Sequence, residues 1–183
     1  MALILFISAN KLSVMKNITL LTTLLFAGII SQAQVKEAFT DKKLPSVEVQ
    51  TLDGKRVNIA DYGKNGKITV ISFWATWCGP CKLELNNISD IYDGWKKDYN
   101  VEVIAISIDD SRNTAKVKSF AQAQGWDFEV LLDPNQDLKR AFNFQMPPYT
   151  VLSNQEGVIV STHLGYKNGD ELLLEDEIKK LAK

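Results

Sequence analysis

An α/β fold, with a mixed central sheet flanked by helices and an N-terminal β-hairpin extension, is the architecture the sequence predicts. Three observations carry that expectation. "KITVISFWA" (Lys67 to Ala75) and "VEVIAISID" (Val101 to Asp109) are nearly continuous β-branched, apolar runs, the pattern of strands buried on both faces. Between them, Pro80 to about Tyr99 places Leu83, Leu85, Ile88, Ile91, Tyr92 and Trp95 at mostly helical spacing, so the three segments read as a strand–helix–strand unit. With the later segments the order after the hairpin is βαβα(βα)ββα, which implies a central sheet of mixed direction with helices on both faces.

Each element has its own signal. Residues 1–33 hold Lys11 and Lys16 but no acid, and Ile18 to Ile30 is almost unbroken apolar sequence. Met15 opens a second start, "MKNITLLTTLLFAGIISQAQ", in which Lys16 supplies a charged n-region, Ile18 to Ile30 an h-region, and Ser31-Gln32-Ala33 small residues at the two positions a signal peptidase inspects. The reading is a signal peptide over 1–33 with Met15 as the start. Its apolar stretch falls short of the ~20 residues that span a bilayer, which weighs against an uncleaved anchor. The mature chain is then periplasmic or otherwise extracytoplasmic, a compartment in which disulfides persist.

Residues 34–44 are polar and without periodicity, a loose N-terminal arm, and 45–183 form the domain. "VEVQTLDGKRVNI" (Val47 to Ile59) alternates on both sides of Asp53-Gly54, a hairpin signal. Thr114 to Gln124 is helical and ends at Gly125; Phe128 to Asp133 is a short strand and Asn135 to Phe142 a short helix after Pro134. Tyr149 to Leu164 makes two strands about an Asn-Gln-Glu-Gly turn, and Asp170 to Ala182 closes the chain as a helix with Leu172, Leu173, Ile178 and Leu181 inward.

The chain has 183 residues, 21 Lys plus Arg and 22 Asp plus Glu. That length suits one domain with a sizeable core. With a near-neutral balance and no basic block, no surface is available to track a phosphate backbone, and nucleic acid is excluded as a partner.

Both cysteines lie in "SFWATWCGPCKLEL" (Ser72 to Leu85). A bridge between residues three apart closes a tiny loop and is a poor structural staple. Two cysteines and one histidine, His163, do not complete a tetrahedral structural zinc set without carboxylates, so no metal is expected and no cofactor is called for. What remains is a redox pair, and a C-x-x-C between a strand and a helix is a strong sign of one. Cys78 would sit at the helix N-terminus, where unpaired N–H groups and the dipole favour a thiolate. Cys81, one turn inside, is placed to resolve a mixed disulfide.

"FWATWCGPC" (Phe73 to Cys81) resembles the active-site motif of the thioredoxin superfamily, and "WATWCGPCKLEL" is similar to its exported TlpA/ResA-like members. The resemblance implies a thiol-disulfide oxidoreductase, a protein-disulfide reductase with Cys78 and Cys81 as the redox disulfide, with cytochrome c apoprotein cysteines as a candidate substrate. It also maps the family's cis proline onto Pro148 in "MPPYT", against the plainer reading of a loop before a strand, and makes Met146 and Pro147 substrate contacts with Gly79, Pro80 and Trp77. Glu84 becomes a candidate acid/base for the Cys81 proton, weighed against an exposed surface glutamate. Two departures stand out: Ser72 occupies the strand position of the buried Asp in cytoplasmic thioredoxins, and Asn86 stands where the exported family often has Pro. The implied partners are disulfide-containing proteins and an upstream thiol donor, a membrane reductant among the candidates, with the protein acting as a monomer. A disulfide-forming oxidant of the same fold, a thiol peroxidase and a non-enzymatic binding module are the rival readings. His163, with no second ligand in view, reads as structural.

Overall fold

The computed structural model describes residues 42–183; the signal peptide expected over residues 1–33 and residues 34–41 of the arm lie outside that range. The hairpin strands are β1 (Glu48–Thr51) and β2 (Arg56–Asn58), followed by a single-turn helix α1 (Ile59–Tyr62) that the sequence reading did not contain. Asn58 nucleates that turn, its side chain accepting from the Ala60 N–H. Then come β3 (Ile68–Trp74), α2 (Gly79–Tyr99), β4 (Val101–Ser107) and, after a 3₁₀ turn, α3 (Thr114–Gln124). The chain ends as β5 (Glu129–Leu132), α4 (Asp137–Phe142), β6 (Tyr149–Ser153), β7 (Ile159–Leu164) and α5 (Asp170–Leu181).

Seven strands form one sheet in the order β2-β1-β5-β4-β3-β6-β7. β3, β4 and β5 are parallel, while β6 and β7 on one side and β1 and β2 on the other run antiparallel to their neighbours. The hairpin is thus built into the main sheet through β1–β5 pairing. The steps from β3 to β4 and from β4 to β5 go the same way across the sheet, so right-handed crossovers place α2 and α3 on one face. Side chains agree: Trp74 packs edge-on against Trp126 and beside Phe120 of α3, and Trp126 Nε1 donates to Asn86 Oδ1 of α2 at 2.8 Å. On the other face Phe73 meets Phe142 at the end of α4, together with Phe144 and Tyr149. Every residue of β3 is buried, the polar Thr69 and Ser72 included, as its nearly continuous β-branched and apolar run predicts.

Two expectations need correction. The inward residues of α5 are Leu174 and Ile178, four apart, whereas Leu172 and Leu173 are exposed. In a leucine triplet, composition does not choose the register; only the partner surface does. And the end of the arm is not loose. Leu44 is buried and its N–H donates to the Gly157 carbonyl at 2.9 Å, while Ile159 N–H donates to the Lys42 carbonyl at 2.8 Å. Lys42 to Leu44 therefore lie along the start of β7, because one apolar side chain and free backbone groups both gain partners there.

This contact depends on glycine. Gly157 has φ +73°, and a Cβ added to it would stand 2.6 Å from the Gly63 Cα. A Gly157→Ala variant combines the left-handed penalty with a backbone clash, and should be destabilised by about 2–4 kcal/mol in urea unfolding.

Candidate active site

The site gathers at one end of the sheet. Phe73 pairs with Tyr149 at the β3–β6 boundary, so the loop from Ala75 to Cys78 and the segment from Met146 to Pro148 leave the same sheet end. The Pro147–Pro148 peptide is cis, as the resemblance implied for Pro148. Pro148 itself is held by its carbonyl, which accepts from the Gly165 N–H at 2.9 Å.

Cys78 and Cys81 are joined as a disulfide with a Cα–Cα distance of 5.4 Å. Cys78 is the N-cap of α2, extended at φ −89°, and its Sγ accepts from the Cys81 N–H at 3.2 Å. Gly79 and Pro80 form the first turn, which a proline enters at no hydrogen-bonding cost. Cys78 is not an exposed residue, at 5% accessibility against 0% for Cys81. Access is thus graded, Cys78 reaching solvent through a narrow window and Cys81 not at all. Trp77 and Met146 flank it as protruding side chains, 57% and 58% exposed. Large apolar side chains held in water fit a docking contact better than packing.

The loop into Cys78 has an anchor that the sequence reading passed over. Asp109 accepts from the Thr76 N–H and the Thr76 hydroxyl, both at 2.8 Å, and from the Ser107 hydroxyl at 2.9 Å. All three residues are buried. Asp109 follows the C-terminal end of β4, where α/β sheets collect their functional groups, and that was the available signal.

Glu84 is buried at 5% accessibility, so the exposed-surface reading is excluded. One turn beyond Cys81, it accepts the Ser72 hydroxyl at 3.0 Å and the Thr150 hydroxyl at 2.6 Å. Ser72, standing where cytoplasmic thioredoxins carry an acid, instead supports an acid arriving from the helix. Burial pushes the Glu84 carboxyl up to about 7, and the two hydroxyls oppose that rise by stabilising the carboxylate. Glu84 also lines a cavity of about 380 Å³ bounded by Thr150, His163, Tyr166, Leu173 and Glu177. His163 lies 3.1 Å from Glu177. Asn86 leaves α2 continuous and serves as the acceptor for Trp126. Among the described residues, no group of three or more His, Cys, Asp or Glu is arranged to hold a metal ion, and no helix is long and apolar enough to cross a membrane.

A C-x-x-C disulfide whose first cysteine caps a helix behind a doubly buried strand, in a sheet of this order, places the chain in the thioredoxin-like class. The profile of the AhpC/TSA family matches residues 40–162, and the chain belongs to that family. Thiol-disulfide oxidoreductase ResA of Bacillus subtilis (strain 168) is 31% identical over 140 residues, covering 76% of this chain and 72% of ResA. ResA of Bacillus anthracis is 29% identical over 141 residues, 77% of this chain and 78% of its own. A thioredoxin-like protein from Porphyromonas gingivalis, solved in solution, shares 40% identity at a TM-score of 0.69, covering 76% of this chain and 91% of that one. The chain is a thiol-disulfide oxidoreductase.

Proposed function

We propose that the protein is exported and reduces disulfides of extracytoplasmic proteins, with cysteines of apocytochromes c as the substrate class the family likeness points to. The observation that carries this reading is the placement of Cys78 as the helix N-cap with Cys81 buried behind it. In the reduced enzyme the Cys78 thiolate attacks one sulfur of a substrate disulfide. A mixed disulfide forms and the other substrate sulfur leaves as a thiolate. Cys81 loses its proton to Glu84 and attacks Cys78 Sγ, which forms the Cys78–Cys81 bond and releases the second substrate sulfur with its electron pair. An external dithiol then reduces the enzyme. Trp77, Gly79, Pro80, Met146, Pro147 and Pro148 form the contact surface for the substrate chain.

Two features support this direction: the Gly-Pro between the cysteines, which resembles the reducing members of the superfamily, and the charge behind Cys81. A carboxylate one turn along α2 from Cys81 opposes negative charge on the cysteines, which disfavours the reduced, ionised pair and favours giving electrons away. The test uses the exported chain, whose N-terminus this reading sets at Gln34. The reduced protein should cleave the disulfides of a folded model substrate much faster than the oxidised protein forms disulfides in a reduced, unfolded one. The opposite ratio would make it a dedicated oxidant.

A further inference from the structure

His163 has no evident task in the sequence, and the sheet gives it a setting. Ser72 of β3, Thr150 of β6 and His163 of β7 stand directly opposite one another across three strands. Their side chains therefore rise from one face, the face covered by α2 and α5. Glu84 closes on one end of this row through the Ser72 and Thr150 hydroxyls. At the other end His163 Nε2 lies 3.1 Å from Glu177 Oε2 and 3.4 Å from Ser161 Oγ. The cavity of about 380 Å³ is walled by both ends of the row. It joins a carboxyl that is shut off from solvent to side chains that meet it, those of His163 and Glu177 being 38% and 32% exposed. A cavity of this size with polar walls admits water.

We propose that His163, held by Glu177, relays protons between Glu84 and solvent through this cavity. The inference rests on the reading of Glu84 as the acceptor of the Cys81 proton. When Cys81 attacks, its proton passes to a Glu84 oxygen, and no electrons travel with it. Glu84 hands the proton to water in the cavity and so to His163, which releases it at the outer edge of β7; reduction of the enzyme runs the same steps backwards. The other ionisable groups facing the cavity are Tyr166 from the β7–α5 loop and Asp170, Glu171 and Glu177 from α5. β3 and β6 bring only hydroxyls to Glu84. Imidazole is the one side chain in this set with two ring nitrogens, so that one can accept a proton while the other releases one. His163 is thus a positioning and relay residue that acts through Glu84, not on the sulfurs.

The test follows the rate of mixed-disulfide resolution across pH in weakly buffered solution, for the full protein and its His163→Gln and Glu84→Gln variants. His163→Gln should slow resolution about tenfold or more, and added free imidazole should restore the rate. Glu84→Gln should be slowed without such rescue. If His163→Gln resolves at the wild-type rate while Glu84→Gln is slow, the relay is wrong and the role of Glu84 stands. If neither variant is slowed, the role of Glu84 falls and the relay with it. A slowed His163→Gln that imidazole does not restore marks a structural role and overturns the relay.

Discussion

Replacing Cys78 with serine should abolish protein-disulfide reduction, a loss of at least ~10³-fold, because no other thiol can make the first attack. Cys81→Ser should behave differently. Its Cys78 is still able to attack, so substrate accumulates as a stoichiometric mixed disulfide that an added dithiol releases. Non-reducing electrophoresis and intact mass read both outcomes. The assignment rests on Cys78 capping α2 with slight solvent access while Cys81 has none. A trapped adduct on Cys78→Ser, and none on Cys81→Ser, would reverse the two roles. Folding is not at issue in this comparison, since a bridge closing so small a loop adds little to stability.

The second large effect belongs to Glu84. Its carboxyl is raised by burial from 4.5 to about 7, with the Thr150 and Ser72 hydroxyls pulling the other way. The folded state thus holds the proton more tightly than the unfolded chain. Its contribution to stability is complete below about pH 4.5 and is lost as pH rises through about 7. The shift corresponds to about 3 kcal/mol between those limits. Urea unfolding of the oxidised wild-type protein at pH 5 and pH 8.5 should show that loss, and Glu84→Gln should flatten it while slowing Cys81 deprotonation by about 10²-fold. A wild-type slope that survives intact in Glu84→Gln would assign the pH dependence to another group.

These expectations show what local sequence does and does not encode. β3, α2 and the cysteine pair were legible because each is written in consecutive residues: an apolar run, a helical spacing, a Gly-Pro between thiols. The position of Glu84 three residues after Cys81 told which side of the helix it shares, but its burial comes from Thr150 and Ser72, 66 and 12 residues away. The Ser72–Thr150–His163 row exists only once β3, β6 and β7 are paired in register, so a lone histidine on a strand gave no hint of it. The same holds for Asp109, whose three donors come from one loop residue, Thr76, and one strand residue, Ser107, and for the leucine triplet of α5. Pro148 was placed by the family pattern, not by its own chemistry, since Pro147-Pro148 before a strand reads equally well as a plain loop.

The most direct test is the reduction potential of the Cys78/Cys81 couple, measured by equilibration of residues 34–183 with a thiol–disulfide buffer. A reductase with a buried carboxyl behind its dithiol should sit near thioredoxin, about −270 mV, and a value near the ~−120 mV of DsbA would contradict it.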